Sequence, residues 1–264
     1  MSDASLTGKK AGLSALWRGL RLLIHLLTAF VLVATAIAPA RALGRYPAWS
    51  AALTTWWYRH LCRMLGLRLK VEGSPEPGVL LVANHVSWLD ILVLGAQADV
   101  CFLSKAEIRA WPLIGWMAAI LGTLFIHRGA HEAGAMATQI AARIREGRLV
   151  ALFPEATTSD GSRLLPFHPR LFAAAQVSGA RLQAVTLRYG EAGRLDPIAP
   201  FTGDAKALPH LWRVLHHPGI RVQVQFLPSF ASQGLERKAM ATACRQTIAA
   251  ALGLEHSLPH HPGT

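Results

Sequence analysis

One apolar run stands out along the chain. Residues 22–38 hold no Asp, Glu, Lys or Arg, with Lys9, Lys10, Arg18 and Arg21 before them and Arg41 and Arg45 after. At about 1.5 Å per residue such a helix reaches about 26 Å, just under the about 30 Å of a bilayer's hydrocarbon core. It can span, lie half-immersed as an anchor, or be a cleaved signal peptide, since Ala40-Arg41-Ala42 mimics a cleavage site. Its length and the scarcity of cysteine favour an uncleaved membrane segment. Residues 47–67 follow, with Trp49, Trp56, Trp57 and Tyr58 among Arg59 and Arg63, the mixture an interfacial helix uses. An amphipathic helix packed on the body is the plainer alternative.

Past residue 67 the pattern changes to short apolar runs between longer periodic stretches. Strands are predicted over 68–71, 79–83, 100–103, 121–126, 149–153, 183–187 and 220–226. Helices are predicted over 91–96, 112–120, 132–146, 169–177 and 235–252, with Gly147 stopping the third of these. Gly73 to Gly78 is a loop, and the boundary between anchor and body is placed near residue 70. Strands alternating with helices indicate an α/β domain, residues 71–254, with a largely parallel sheet flanked by helices. Residues 1–70 are the anchoring helices, and residues 255–264, rich in His and Pro, are expected to be a disordered tail.

Composition sharpens this division. Hydrophobic residues make up 52% and charged ones only 16%. The net charge of +12 sits mostly at one end: +9 in residues 1–70, where Asp3 is the single acid, against +3 in the rest. A basic, apolar first quarter on a nearly balanced body points to an anionic membrane surface. No basic stripe with interleaved aromatics suggests nucleic acid. Three scattered cysteines, Cys62, Cys101 and Cys244, give neither a disulfide framework nor a zinc site.

Candidate chemistry gathers just after the 79–83 strand, at Asn84-His85-Val86-Ser87-Trp88-Leu89-Asp90. Ser87 and Asp90 have capping-box spacing, so Ser87 is expected to open a helix with Asp90 in its first turn. Free N–H groups there keep a carboxylate ionised. Asp90 could then hold the His85 imidazole in one tautomer, as the aspartate of a catalytic triad does. The plain alternative is a capping Asp beside an idle His. Two more strands end in polar residues, His127-Arg128 and Glu155. A parallel sheet brings all three ends to one edge, where open α/β sheets bind ligands. No Gly-x-Ser-x-Gly, Walker loop, Gly-x-Gly-x-x-Gly or His-Glu-x-x-His is present, so serine-hydrolase, nucleotide and zinc chemistry lack support.

Over residues 79–189 the sequence resembles the lysophospholipid (glycerolipid) acyltransferases. Their block Asn-His-x-Ser-x-x-Asp is matched by Asn84, His85, Ser87 and Asp90; Gly-x-x-Phe-Ile-x-Arg by Gly122, Phe125, Ile126 and Arg128. The lead-in Ser104, Lys105, Glu107, Pro112 and Gly115 is also similar. Phe-Pro-Glu-Gly-Thr-Arg-Ser stands as Phe153-Pro154-Glu155-Ala156-Thr157-Thr158-Ser159, and the fourth block as residues 182–189, with Ala184 where proline is common.

The resemblance implies a membrane O-acyltransferase at the cytoplasmic face of a bacterial inner membrane, without metal or cofactor. Its substrates are a lysolipid and an acyl thioester, on coenzyme A or acyl carrier protein. It makes His85 the general base, worth roughly 10²–10⁴ in rate, and Asp90 its orienting partner. The acceptor side comprises Asn84, Ser87, Arg128, Glu155, Ala156, Thr157 and Thr158. Arg128 contacts the acceptor head or merely ends a strand. Glu155 accepts hydrogen bonds from acceptor or backbone, or pairs with Arg128. Lys105 is structural or attracts the donor's phosphopantetheine. Thr158 in place of arginine removes a bidentate phosphate clamp. Together with the 157–161 ending, this resembles the lyso-ornithine lipid branch more than the 1-acylglycerol-3-phosphate enzymes. Two readings of other classes stay open: a non-catalytic lipid-binding protein, and a thioesterase in which His85 activates water.

Overall fold

A computed structural model describes residues 3–43, 48–126 and 133–257. Eight strands form its sheet: β1 (Leu67–Glu72), β2 (Leu80–Ala83), β3 (Val100–Lys105), β4 (Leu124–Ile126), β5 (Leu149–Leu152), β6 (Leu182–Glu191), β7 (Arg194–Leu195) and β8 (Ile220–Phe226). Their order is β1-β8-β6-β2-β5-β3-β4, with β7 paired to β6. Among the described strands, only the β6–β8 and β6–β7 pairings are antiparallel. The sheet is therefore mostly parallel, as the strand–helix alternation predicts.

All four residues of β2 are buried, because this strand is covered on both faces. Leu81 and Ala83 point into one core cluster, Leu80 and Val82 into the other. Such strands are read as unbroken apolar runs. β2 lies between β5 and β6, parallel to both. The ends of these three strands thus converge on one edge.

Helices cover both faces: α4 (Leu89–Gly95), α5 (Ala106–Arg109), α6 (Ile114–Leu121), α7 (Ala133–Arg145), α8 (Ala173–Ser178), α9 (Ala207–His216) and α10 (Arg237–Leu252). Ahead of them, α1 (Asp3–Leu32) runs through a π-helical turn, Val33–Ile37, into α2 (Ala38–Ala42). Pro39 accounts for the turn: it has no N–H to give the Thr35 carbonyl, and its ring would strike that carbonyl in a regular helix. Within this apolar helix Thr28 and Thr35 return their hydroxyls to the Ile24 and Val31 carbonyls. The segment Leu16–Ala42 is long and apolar enough to cross a membrane.

The anchor end is tied to the body. Arg18 donates to the carbonyls of His217 (2.8 Å) and Leu215 (3.3 Å) at the end of α9, and Leu22 is buried in the core cluster that holds Val86. α3 (Ala48–Met64) leaves Trp49 and Trp56 exposed on one side. On the other, Tyr58 lies against Gly95, where a Cβ would come within 2.5 Å of the ring, and Arg59 donates to the Ala96 carbonyl. The helix thus packs on the body through one face and leaves two tryptophans exposed on the other.

Several elements differ from expectation. β1 belongs to the sheet, pairing β8 from Leu67 onward, so the sheet begins ahead of residue 71. The helix expected over 169–177 is a 3-10 turn, Pro169–Phe172, followed by α8. α5 and α9 are absent from the sequence reading; Pro209 and two histidines hide the apolar face of α9. β6 runs past Leu187 to Glu191 and turns at Ala192–Gly193 into β7; within the hairpin, Gly190 has a φ of 95° and a close approach to the Arg194 carbonyl that admit no side chain. Of the expected tail, Glu255–Ser257 form a 3-10 turn and the remainder lies outside the described residues.

Candidate active site

β2 ends at Ala83, register-paired with Val185 of β6. Asn84 then continues the ladder with its side chain: Oδ1 accepts the Leu187 N–H (2.8 Å) and Nδ2 donates to the Leu187 carbonyl (2.9 Å). Its amide is engaged in the sheet and not turned toward an acceptor. By fixing the chain as it leaves the strand, Asn84 aims the next residue.

His85 is gripped through its backbone. Its N–H donates to Glu155 Oε1 (2.7 Å), and its carbonyl accepts the Ser159 N–H (2.8 Å). Its ring stacks on Phe153, centroids 4.2 Å apart and planes 21° from parallel. Nδ1 meets Asp90 Oδ2 at 2.7 Å. Among the described residues Nε2 has no partner, and the side chain is 19% exposed, so one ring nitrogen is held and the other is open to a substrate.

Asp90 is wholly buried and collects four donors. Oδ2 takes His85 Nδ1 and the N–H groups of Val86 (2.7 Å) and Ser87 (2.9 Å); Oδ1 takes the Tyr189 hydroxyl (2.7 Å). Three donors converge on one oxygen and one on the other, which fixes the orientation of the carboxylate. The capping box is half-formed. The Asp90 carboxylate reaches back as expected, but the buried Ser87 hydroxyl has no hydrogen-bond partner among the described residues, and Trp88 occupies the N-cap position without a side-chain cap. Ser87 is thus not the side-chain cap its spacing predicts.

Glu155, after β5, is 2% exposed. Oε1 accepts from His85 and Oε2 from the Leu165 N–H (2.9 Å), so it stitches the loop of the third block to that of the first. Of its expected roles, the backbone one is what the structure displays. Burial pushes its carboxyl up to about 7, against the pull of those two N–H groups. Between the ordinary 4.5 and about 7 the folded chain holds a proton the unfolded chain releases, so this group makes stability fall as pH rises through that window. Glu155→Gln removes that slope. It also sets an amide N–H₂ against one backbone N–H, which should cost about 1–3 kcal/mol at pH 7.5. Urea denaturation across pH checks both; an unchanged slope would show that Glu155 does not titrate in this range.

The rest of the third block forms the rim. Ala156 has φ 56°, the left-handed conformation that explains the family's preference for glycine. Thr157 is exposed, and the Thr158 hydroxyl donates to the Phe201 carbonyl. Phe201 in turn donates its N–H to the Val86 carbonyl (3.0 Å), strapping the segment after β7 across the site. The strap is braced by His210 of α9, whose Nδ1 accepts the Trp88 indole N–H (3.0 Å) and whose Nε2 faces the Ile198 carbonyl (2.9 Å). Burial lowers the His210 pKa, consistent with a neutral ring. A cleft of about 510 Å³ begins at Val86 and Tyr189 and passes Gly161 toward Leu254.

Lys105 ends β3 in register with Ile126, at the sheet edge that carries His85. Arg128 and His127 lie outside the described residues. Sequence reasoning missed Tyr189, His210 and the Phe201 strap; the first is a member of the fourth block, the only signal any of them offered.

Comparison with known proteins fits this arrangement. The profile of the acyltransferase family matches residues 68–188. A lyso-ornithine lipid O-acyltransferase of Pseudomonas aeruginosa is 44% identical over 201 residues, covering 76% of this chain and 78% of that protein. The chain belongs to the acyltransferase family. Another relative, a 1-acyl-sn-glycerol-3-phosphate acyltransferase of Neisseria meningitidis, is 34% identical over 198 residues, 73% of this chain and 77% of that one. The crystal structure of the 1-acyl-sn-glycerophosphate acyltransferase PlsC from Thermotoga maritima superposes with a TM-score of 0.61 at 17% identity, over 92% of this chain and all of that one. It shares the acyltransferase fold: a mixed, mostly parallel sheet between helices. The acyltransferase matches the family blocks at Asn84–Asp90 in full and departs at Ala156 and Thr158.

Proposed function

We propose that this acyltransferase moves a fatty acyl group from a thioester donor to the hydroxyl of a lyso-ornithine lipid at a membrane surface. The hydrogen bond between Asp90 and His85 Nδ1 carries the reading, because it leaves Nε2 free to act as a base. The acceptor hydroxyl gives its proton to Nε2 as its oxygen attacks the thioester carbon. The C–S bond then breaks, and the thiolate takes the proton from the imidazolium. Asp90 holds the ring in place and stabilises its transient charge. No acyl-enzyme is required.

Choice of acceptor rests on the rim. Thr158 supplies no guanidinium, and its hydroxyl is already engaged by Phe201. Two residues on, Asp160 adds a carboxylate, which suits an ammonium-bearing head better than a phosphate monoester. The Pseudomonas relative carries the lyso-ornithine name and supports the same choice. Arg128 is assigned to the acceptor's head and Lys105 to the donor side. The apolar Leu16–Ala42 helix, with Trp17 and Trp56 exposed, supports a place in the bacterial inner membrane with the site toward the cytoplasm.

The test is acyl transfer from labelled acyl carrier protein or acyl-coenzyme A to each lysolipid. Lyso-ornithine lipid should be preferred. Thr158→Arg should raise use of lysophosphatidate relative to it by about tenfold, the worth of one charge-assisted pair. Preference for lysophosphatidate in the parent enzyme overturns the acceptor, and an unmoved ratio in the variant overturns the clamp argument. Release of free fatty acid without acylated lipid would replace transfer by hydrolysis.

A further inference from the structure

The aspartate that holds His85 is itself held. Tyr189 donates its hydroxyl to Asp90 Oδ1 at 2.7 Å, and both residues are buried. The placement follows from strand length. β2 stops at Ala83 opposite Val185, whereas β6 runs on to Glu191. Alternation carries Val185, Leu187 and Tyr189 into the same core cluster, so Tyr189 overhangs the sheet edge above the first turn of α4. Its backbone is fixed on both sides, paired with Val222 of β8 and accepting the Asp196 N–H at 3.0 Å. The hydroxyl therefore has little freedom. A phenylalanine would fill the same volume, but would take from the buried Oδ1 the donor it has in Tyr189.

We propose that Tyr189 is a positioning residue whose phenol locks Asp90 and draws charge from its carboxylate, thereby setting how readily His85 keeps a proton. With Oδ1 bound to the phenol, Oδ2 alone faces the imidazole. The phenol also competes with the ring for the carboxylate's negative charge. Removing it strengthens the attraction of Asp90 for an imidazolium, so the base is released only at higher pH. Burial beside Asp90 raises the phenol well above its ordinary value, which keeps it a donor across the working range. Other ionisable groups around this chain are Glu155 on the first-block side, with Arg245 of α10 beyond it, and Cys62 of α3 behind the phenol. None of them touches Oδ1.

This inference rests on His85 as the base, a reading that fails separately if His85→Ala stays active. The experiment is the pH profile of kcat/KM in full-length enzyme, for the parent, Tyr189→Phe and a site-specific 3-fluorotyrosine at 189. Loss of one charge-assisted hydrogen bond should move the acid limb of Tyr189→Phe up by about 0.5–1 pH unit, lowering kcat/KM below the limb by about threefold to tenfold. The alkaline plateau should change little. Fluorination makes the phenol a stronger donor at nearly constant shape, so its limb should move the other way. A purely structural role lowers the whole profile without moving the limb, and that result overturns the proposal, as does a shift of the same sign in both variants. If Tyr189→Phe does not fold, the fluorotyrosine enzyme decides: a limb at lower pH supports the proposal and an unmoved limb overturns it.

Discussion

His85→Ala is expected to lower turnover by at least ~10², within the range that a positioned general base contributes, while the protein still folds and sediments with membranes. Folding should survive because the histidine's anchoring contacts are made by its backbone, through Glu155 and Ser159, and alanine keeps both. The ring contributes the stack on Phe153 and the bond to Asp90. Retained turnover in a purified, folded variant would remove His85 from the chemistry and with it the mechanism.

Asp90→Asn should do comparable harm for a different reason. Asparagine has one acceptor oxygen where the site presents four donors, so its amide N–H₂ must face a donor or turn the imidazole to the other tautomer. In the serine-protease triad the same change costs about 10⁴ in rate through the wrong tautomer; here a loss of ~10²–10⁴ is expected. Because Val86 and Ser87 also rely on this carboxylate, stability should drop by about 1–3 kcal/mol as well. Turnover and urea unfolding on one preparation separate the effects. A variant that is destabilised yet fully active would reduce Asp90 to a helix cap.

The two roles of Asp90 explain how much of the site was legible. Capping-box spacing placed the carboxylate in the first turn of a helix, and the apolar run before it placed His85 at a strand end. Both follow from short-range rules, and both agree with the structure. Which partner each polar group takes is a tertiary matter. Asn84 and Ser87 share a motif with His85, yet one bonds across to β6 and the other is buried with no partner among the described residues. Glu155 reaches His85 across seventy positions of sequence. Tyr189 escaped because the sequence pattern predicts a strand ending at Leu187, and the polar Arg188 hides that the alternation runs on to Tyr189 and beyond. α9 escaped because Pro209 breaks its propensity pattern, although its packing on α1 overrides that.

If the apolar helix is the membrane anchor proposed above, the clasp of Arg18 on the end of α9 makes it a depth gauge. An anchor on a loose tether would let the catalytic edge bob above the lipid and sample hydroxyls at any height. Here the guanidinium holds two carbonyls of the body, and a single core cluster runs from Leu22 to Val86, the residue after His85. Once the apolar helix is seated in a bilayer, His85 works at one level. Lipids then have to arrive by sideways diffusion and bring their hydroxyl to that level, so position along the acceptor becomes a criterion of choice alongside charge.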